Sequence, residues 1–376
     1  MQLQIGHMNL MTLNAGSSSI KFALFDEAGD FTKPQQSGQV EGLGGEGLTH
    51  EAALQQVLTR IGSAQVKAVG HRIVHGGAEF DGPALIDDAV FDRISELQAL
   101  APLHQPHNLA GVRAARAAFP GVPQVACFDT AFHRSQPALN QRFALPQALH
   151  DLGVQRYGFH GLSYESILAQ LHSLDPAAAM GRVVVAHLGN GASLCAMAQG
   201  RSVATTMSFS PLDGLPMGTR CGRIDAAVVL HLLRQGRTAE QVSRLLHQES
   251  GLLGLSGVSS DMRDLLASNE PNARMAVDYF VEHLLRELAG MAAALRGIDT
   301  LVFTGGIGEH AALVREHVLQ GAAWLGMKLD AAANEQGASV ISQRDSAVTV
   351  RVMRTNEEAV IAGHTAAVAL ARKSSC

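Results

Sequence analysis

The chain has 376 residues, more than one hydrophobic core usually organises, so its length predicts two domains. Apolar residues make up 47% of the chain and charged residues 17%, a composition that excludes a disordered or collagen-like protein. The formal net charge is −5 and no basic run occurs, so we expect no nucleic-acid partner.

The cysteines and the chain start predict a compartment. Cys127, Cys195, Cys221 and Cys376 are far apart and form no C-x-x-C pair, which is typical of reduced thiols in the cytoplasm. The leader Met1–His7 lacks a cationic region, and no run of 18 apolar residues follows. We therefore expect neither a signal peptide nor a membrane span.

The first elements are a pair of strands around a glycine and serine loop. Apolar residues at Leu10–Leu13 and alternation at Ile20–Phe25 predict strands, with the loop Asn14–Ser19 between them. The stretch Pro34–Gly47 is rich in Gly, Gln and Ser and predicts a loop. Helical spacing of apolar residues begins after Thr49.

Strands and helices then alternate, as expected of an α/β fold with parallel strands. Brief β-type runs occur at Val66–Val69 and Val122–Phe128, with helical patterns from Val90 and from Leu109 between them. In the second half, a long amphipathic helix is predicted at Ala273–Leu295 and a buried strand at Ile298–Thr304. A last helical stretch, Glu358–Leu370, is expected to pack on the first domain.

An internal repeat is visible in the sequence. The order of strand, glycine loop and strand recurs at Val183–Met197, with His187 in the place of Asn14 and Gly189 in the place of Gly16. The pattern favours a duplicated domain, but two short loops can also coincide by chance.

Several common enzyme motifs are missing. None of the five lysines follows a glycine, which excludes a Walker P-loop. The protein-kinase signatures H-R-D and D-F-G are absent, as are H-E-x-x-H and G-x-S-x-G.

Glycine loops supply the candidate phosphate sites. The loops Asn14–Ser19 and Gly189–Gly191 offer backbone N–H groups in tight turns, which suit phosphate oxygens, although each could be an ordinary turn. Gly305–Ala311 follows a strand, is expected to open a helix and matches the dinucleotide pattern G-x-G-x-x-A. A nicotinamide enzyme is therefore an alternative, although the match comes late for a complete βαβαβ unit.

Polar side chains follow strands or glycine turns at four further places. They are Arg72, Asp129, His160 and Arg220. Each one alone is more typical of a structural ion pair or a buried histidine. Because open α/β sheets bind ligands at the carboxyl ends of their strands, the joint placement of these four residues favours a functional site.

The chain resembles the acetate kinase family through motifs that follow one another from residue 9 to about residue 370. The matching segments are Asn14–Lys21, His71–Gly77, Ala101–His104, Phe128–His133, Tyr157–Gly161, His187–Gly191, Pro211–Arg220 and Thr355–Glu358. The resemblance implies an α/β fold of two duplicated actin-like, ribonuclease H-like lobes with an active-site cleft between them. It implies ATP, Mg²⁺ with Mn²⁺ as an alternative, a short-chain carboxylate acceptor and a homodimer. The expected lobes are residues 9–148 with the C-terminal helix 358–376, and residues 149–357, which would bind the nucleotide.

The resemblance also implies roles for single residues. The expected catalytic residues are Arg72, Asp129, His160 and Arg220. Arg72 is also expected to bind the carboxylate, in a pocket formed with Val74, Leu103 and Pro211. The expected magnesium residues are Asn14 and Glu357. The expected nucleotide-binding residues are Lys21, His187, Leu188, Gly189, Asn190, Gly191, Asp261, Met262, Arg263, Gly306, Ile307, Gly308, Glu309 and His310.

Two departures from the family pattern concern the acyl pocket and the chain length. Many relatives have glycine in place of Ser208, which is close to Pro211 in the sequence. This leaves the preferred acyl chain open, so a propionate kinase is an alternative. The chain is also shorter than usual, with the deletion expected around Pro34–Gly47.

The residue types suit transfer of a phosphoryl group to a carboxylate. A carboxylic acid with a pKa near 4 is already ionised at neutral pH, so no general base is needed and Asp129 is expected to orient other groups. Two like charges about 4 Å apart repel by about 4 kcal/mol at an effective dielectric constant of 20, which two arginines and a magnesium ion would offset. An ATP-binding switch of the actin and heat-shock type is the alternative from a different class.

Overall fold

The computed structural model describes residues 8–27, 29–43, 47–62 and 64–371, and these form two compact units. The first unit holds the described residues through Arg134, the segment Gly161–Ser166 and the described residues from Asn356 onwards. The second unit holds Ser135–His160 and Ile167–Thr355. The leader Met1–His7 and Cys376 lie outside the described residues, and the lobe boundaries expected at 148 and 357 stay a prediction.

The described part of the first unit contains a six-stranded sheet in the order β3-β2-β1-β4-β6-β5. Strands β1, β4 and β6 run parallel to one another, whereas β2, β3 and β5 pair antiparallel with their neighbours. The strands are β1 (Met8–Ala15), β2 (Ser19–Asp26), β3 (Gln36–Glu41), β4 (Gln65–Ile73), β5 (Ala84–Leu85) and β6 (Gln124–Phe128).

Helices cover both faces of this sheet because its central strands are apolar on both sides. On one face, Met11, Leu13 and Phe22 pack against α1 and α3; on the other, Cys127 packs against Ile361 of α15. The helices are α1 (His50–Ile61), α2 (Asp88–Glu96), α3 (Gln105–Ala118) and α15 (Glu357–Ala371), with short 3₁₀ helices at Leu97–Ala99 and Ala131–Ser135.

The second unit is built on a five-stranded sheet in the order β11-β10-β7-β8-β9. Strands β7, β10 and β11 are parallel, and β8 and β9 continue the sheet antiparallel. The strands are β7 (Arg182–Leu188), β8 (Ala192–Ala198), β9 (Arg201–Thr205), β10 (Thr300–Thr304) and β11 (Thr349–Val352).

The described helices of the second unit lie before and between these strands. One of them, α5 (Gly161–Leu174), is divided between the units after Ser166. The others are α4 (Gln147–Asp151), α6 (Pro176–Met180), α7 (Ala226–Arg234), α8 (Ala239–Gln248), α9 (Gly251–Ser256), α10 (Met262–Ala267), α11 (Pro271–Ala294), α12 (Gly305–His310), α13 (Ala312–Gly321) and α14 (Ala331–Glu335), with short 3₁₀ helices at Ala138–Gln141 and Ala323–Leu325. None of the described helices is both long enough and apolar enough to span a bilayer.

The two sheets share one topology, which confirms the duplicated fold. Strands β3-β2-β1-β4-β6 of the first unit and β9-β8-β7-β10-β11 of the second have the same order and the same directions. In both sheets the first strand enters a glycine turn after its last residue, Ala15 in one and Leu188 in the other. Asn14 and His187 therefore occupy equivalent positions, as the sequence repeat predicts.

The prediction of a loop at Pro34–Gly47 is wrong for its central part. Gln36–Glu41 forms the edge strand β3, which pairs antiparallel with β2. Only Val40 of this strand is buried, so its sequence lacks the alternation that marks a strand. The backbone hydrogen bonds offered by β2 decide its conformation, a tertiary effect that outweighs local propensity.

Candidate functional site

Arg72 and Asp129 are brought together by two neighbouring parallel strands. Arg72 is the penultimate residue of β4 and lies in register with Cys127 of β6, two residues before Asp129. The guanidinium donates from Nε and Nη2 to the two carboxylate oxygens of Asp129, at 3.0 and 2.6 Å. Asp129 is 2% exposed, so its carboxylate is shielded from competing water.

A second carboxylate lies near the same guanidinium. Glu357, in the first turn of α15, places Oε2 3.8 Å from Nε of Arg72. Burial by itself would lower the pKa of Arg72, but the charges of Asp129 and then Glu357 outweigh it and raise that pKa above its ordinary value. Arg72 is therefore a permanent cation.

The two predicted acyl-pocket residues of this unit differ in exposure. Val74 follows the end of β4 and is 8% exposed, whereas Leu103 is 40% exposed in the turn before α3.

The turn between β1 and β2 closes with a hydrogen bond from Gly16 N–H to the Ser19 carbonyl. At its base, Asn14 and Lys21 lie directly opposite each other in the strand register.

In the second unit, His160 is held in a defined orientation by contacts on two sides. Its backbone is left-handed, with φ at 59°, at the position immediately before α5. Its Nδ1 lies 2.8 Å from Oγ of Ser193, and its ring centroid is 4.3 Å from that of His187. A Cβ added at Gly191 would lie 3.3 Å from Nε2 of His160, so this nitrogen faces the glycine loop.

Arg220 reaches the same glycine from another direction. A Cβ at Gly191 would lie 3.5 Å from Nη1 of Arg220. That Nη1 also donates to the carbonyl of Pro211 at 3.1 Å, which ties the arginine to a predicted pocket residue. His160 and Arg220 thus meet around a loop that has no side chain at Gly191.

Asn190 is fixed by a close backbone approach. Gly218 N–H donates to the Asn190 carbonyl at 3.1 Å, and a Cβ at Gly218 would lie 2.1 Å from Asn190 Oδ1. The segment before Arg220 is held in turn by α9, since Leu252 and Leu253 donate to the carbonyls of Met217 and Gly218. Only glycine at 218 leaves room for the Asn190 side chain.

Two runs of predicted nucleotide residues follow neighbouring strands. His187–Gly191 follows β7 and Gly306–His310 follows β10, and Thr304 lies in register with His187. The prediction that Gly305–Ala311 follows a strand and opens a helix is confirmed by α12. Gly305 has φ at +78°, and a Cβ there would approach the Leu188 carbonyl to 2.7 Å.

Asp261, Met262 and Arg263 form the start of α10. The Asp261 carboxylate accepts hydrogen bonds from the backbone N–H of Arg263, at 2.8 Å, and from the Arg263 guanidinium. The bond from the guanidinium, followed by the bond from the backbone, lowers the pKa of Asp261 to about 2. Met262 is 2% exposed, so its side chain is mostly packed inside the unit. Both oxygens of Asp261 are used within the helix terminus.

Some functional candidates were not singled out from the sequence. Ser193 orients His160, and its place on β8 two residues after Gly191 was the available signal. Asn108 and Gln105, on α3, hold the backbone beyond Arg72. Amides on a helix carry no sequence pattern that distinguishes them from surface residues.

Comparisons with known proteins agree on the family. A sequence profile of the Acetokinase family matches residues 32–363. An acetate kinase from Methylocella silvestris is 49% identical over 394 aligned positions, covering 96% of this chain and 97% of the relative. The crystal structure of Porphyromonas gingivalis acetate kinase has a TM-score of 0.87 at 35% identity, covering 96% of this chain and 99% of that one. A propionate kinase structure from Francisella tularensis has a TM-score of 0.90 at 33% identity, covering 96% and 100%. The chain therefore belongs to the acetokinase family.

Proposed function

We propose that this chain transfers the γ-phosphoryl group of ATP to acetate, reversibly, to give acetyl phosphate and ADP. The observation that carries the proposal is Arg72, a permanently charged guanidinium that Asp129 holds at the end of β4. A fixed cation at a strand end suits a reaction in which two anions must approach each other.

The reaction needs positioning and charge compensation rather than a base. A carboxylate oxygen of acetate attacks the γ-phosphorus, the new bond joins that oxygen to phosphorus, and the bond from phosphorus to the ADP oxygen breaks. Acetate is already ionised at neutral pH, so no proton is removed. Asp129 therefore acts by orienting Arg72.

The geometry of Arg72 leaves donors for substrate. A guanidinium has five N–H groups, and Asp129 takes two of them, which leaves three. Val74, Leu103 and Pro211 are the residues proposed to contact the acyl methyl group. Binding of the acetate carboxylate by the remaining donors keeps the Asp129 pair intact.

In the second unit, His160, Asn190 and Arg220 are the proposed contacts of the γ-phosphoryl group. When Ser193 donates its hydroxyl to Nδ1 of His160, Nε2 carries the proton and can donate to a phosphoryl oxygen. Arg220 supplies positive charge beside the same glycine loop. The adenosine side of ATP is assigned to Asp261–Arg263 and Gly306–His310, and Lys21 and His187–Gly191 are the other proposed nucleotide-binding residues.

Asn14 and Glu357 are the residues proposed to hold Mg²⁺, with Mn²⁺ as an alternative. The described residues contain no cluster of three or more His, Cys, Asp or Glu side chains that could bind a metal. An amide and a carboxylate oxygen nevertheless fit a magnesium ion, which commonly uses one or two protein ligands together with water and substrate phosphates. Bound there, magnesium would neutralise phosphate charge during transfer.

Trapping of acetyl phosphate as a hydroxamate tests this function. ATP with acetate should yield hydroxamate, and omission of acetate should abolish it. Arg72→Ala should lose the product, whereas Arg93→Ala, which removes an exposed arginine paired with Glu79 in the same unit, should keep it. Slow ATP hydrolysis that does not respond to acetate would instead support a nucleotide-dependent switch.

Propionate is a second candidate acceptor. The propionate kinase structure gives a slightly higher TM-score than the acetate kinase structure, so the fold alone does not separate the two substrates. One extra methylene changes binding in an apolar pocket by only about 1–3 kcal/mol. Values of kcat/KM for acetate, propionate and butyrate decide between them, and the highest value for propionate would overturn the acetate assignment.

A homodimer is proposed because the second unit has an apolar helix on its surface. Val228, Leu230 and Leu233 of α7 are 40%, 51% and 40% exposed, and Ile224 lies just before the helix at 39%. A surface helix that exposes several large apolar side chains is typical of a protein interface. Light scattering of the purified chain should give twice the monomer mass, and Leu230→Glu should shift it to monomer.

Cytoplasmic location is proposed from the thiols. Cys127, Cys195 and Cys221 are free, and burial raises the pKa of each, that of Cys221 to about 11. Such thiols are typical of a reducing compartment. Fractionation of the source cells should recover the chain with cytoplasmic markers, and recovery with an extracytoplasmic fraction would contradict the proposal.

A further inference from the structure

The backbone of Val74–Gly77, which follows β4, is held by side chains instead of a strand ladder. The pairing of β4 with β6 ends at Ile73. Four successive N–H groups follow, and each donates to a side chain: Val74 to Asn108 Oδ1, His75 to Gln105 Oε1, Gly76 to Thr130 Oγ1 and Gly77 to His75 Nδ1. These bonds fix a segment that has no regular secondary structure.

Asn108 differs from the other three acceptors because it also donates a hydrogen bond to the backbone at the end of β1. Its Oδ1 accepts from Val74 N–H at 3.0 Å, and its Nδ2 donates to the Ala15 carbonyl at 2.8 Å. Ala15 is the last residue of β1, immediately after Asn14. One buried amide, 4% exposed, thus joins the backbones of two segments that carry proposed magnesium and carboxylate residues.

A second observation places α3 against the same loop. Gly111 lies three residues after Asn108 on α3 and therefore on the same helix face. A Cβ at Gly111 would lie 2.6 Å from Cβ of Ala15, which no ordinary contact allows. Helix α3 therefore approaches Ala15 as closely as its backbone permits. The distance between α3 and the Ala15 backbone, which the Asn108 side chain bridges, has little room to vary.

We propose that Asn108 is a positioning residue that sets the spacing between the Asn14–Ser19 loop and the Arg72–Val74 segment. This rests on the proposed function, in which the first segment handles magnesium and phosphate and the second binds the acceptor carboxylate. Asn108 touches neither substrate. It acts through two backbone hydrogen bonds whose loss displaces the reacting groups relative to each other.

Asn108→Leu and Asn108→Asp separate the two hydrogen bonds. Leucine has a similar volume to asparagine and removes both bonds. A resulting misplacement of the two backbone segments by about 1 Å should lower kcat/KM for acetate by about 10²-fold. Aspartate keeps the acceptor for Val74 N–H and loses the donor to Ala15, so KM for acetate should stay near wild type while kcat falls about tenfold. A purely structural role would not divide kcat from KM in this way.

Asn9→Leu is the matched control. Asn9 is also an asparagine of the first unit, also 4% exposed, and its Nδ2 donates to the Gln65 carbonyl at 3.3 Å near the opposite end of β1. Urea unfolding should show that Asn9→Leu loses stability, while its kcat and KM values stay at wild type. An equal loss of kcat/KM in this control would overturn the proposal.

The remaining outcomes distinguish the two proposals. A wild-type chain that forms no acyl phosphate refutes the proposed function itself. An active wild type, with wild-type kinetics in folded Asn108→Leu or in Asn108→Asp, refutes only the role of Asn108. If Asn108→Leu fails to fold, the kcat and KM of Asn108→Asp decide the matter.

Discussion

Asp129 accepts hydrogen bonds from both Nε and Nη2 of Arg72, so a buried carboxylate fixes the plane of the guanidinium before substrate binds. An isolated arginine side chain samples many rotamers, and ordering it during binding would cost free energy. The pair therefore supports the proposed role of Asp129 as an orienting group.

Asp129→Asn should lower kcat by about 10²-fold, because an amide offers one acceptor and loses the charge that holds Arg72. The shape of the pH profile of kcat between about pH 6 and pH 8 should not change, since no general base is removed. Steady-state kinetics across this range test both statements. Loss of an acidic limb in the variant would instead show that Asp129 accepts a proton.

Replacement of either arginine should be more severe. Arg72→Ala or Arg220→Ala should lower kcat by about 10³-fold or more, by analogy with arginines that stabilise phosphoryl transfer. Arg72→Lys should recover little, because an ammonium cannot make the bidentate pair with Asp129. Near-normal turnover in either alanine variant, measured by coupled assay, would remove its proposed role.

His160 should contribute less than the arginines. His160→Ala should lower kcat by about 10²-fold if Nε2 donates one hydrogen bond to the transferring phosphoryl group. Ser193→Ala leaves that nitrogen in place but removes the partner of Nδ1, so it should cause a smaller loss of the same kind. A Ser193→Ala variant more impaired than His160→Ala would contradict this order.

Gly218→Ala should impair activity more than stability. The added Cβ would meet Asn190 Oδ1 at 2.1 Å, and a side-chain oxygen can move aside, which displaces a proposed phosphoryl contact. Gly251→Ala is the comparison variant, since its Cβ would meet the Met217 carbonyl at 2.1 Å at a φ of +61°. We expect raised KM for ATP in the first and a lower urea midpoint in the second. The reverse pattern would argue against the role of Asn190.

His71 should make the stability of the chain depend on pH. It is 2% exposed and its Nε2 lies 2.7 Å from Gln124 Oε1. Burial, helped by the charge of Arg116, lowers its pKa from 6.5 to about 4 despite the bond to Gln124. Between these values the unfolded chain binds the proton and the folded chain does not, so stability falls as pH falls, by about 3 kcal/mol in total.

His71→Gln should therefore flatten the pH dependence of unfolding. Urea titrations at about pH 7.5 and pH 5 give the free energy of unfolding of both proteins. The wild type should lose more stability than the variant on acidification, and the difference between the two losses isolates His71 from the carboxylates. Equal losses would show that His71 does not titrate in this way.

Local features of the sequence predict the glycine loops and most strands. Gly189, Gly191 and Gly305 lie where the chain turns at strand ends, and apolar runs such as Val183–Ala186 form buried strands as expected. These predictions depend on neighbours in the chain. For the same reason the strand-loop-strand repeat indicates the duplication that the two sheets display.

Contacts between residues that are distant in sequence could be identified only from the tertiary structure. Edge strand β3 exists because β2 offers it hydrogen bonds, and Asn108 bridges Ala15 and Val74 because α3 packs beside both. Neither fact leaves a periodic mark in the sequence. The residue types and spacings of this chain determined its strands, turns and family. Packing decided the register of β3 and which polar side chains hold Arg72 and His160, because a hydrogen bond depends on where its partner lies in space.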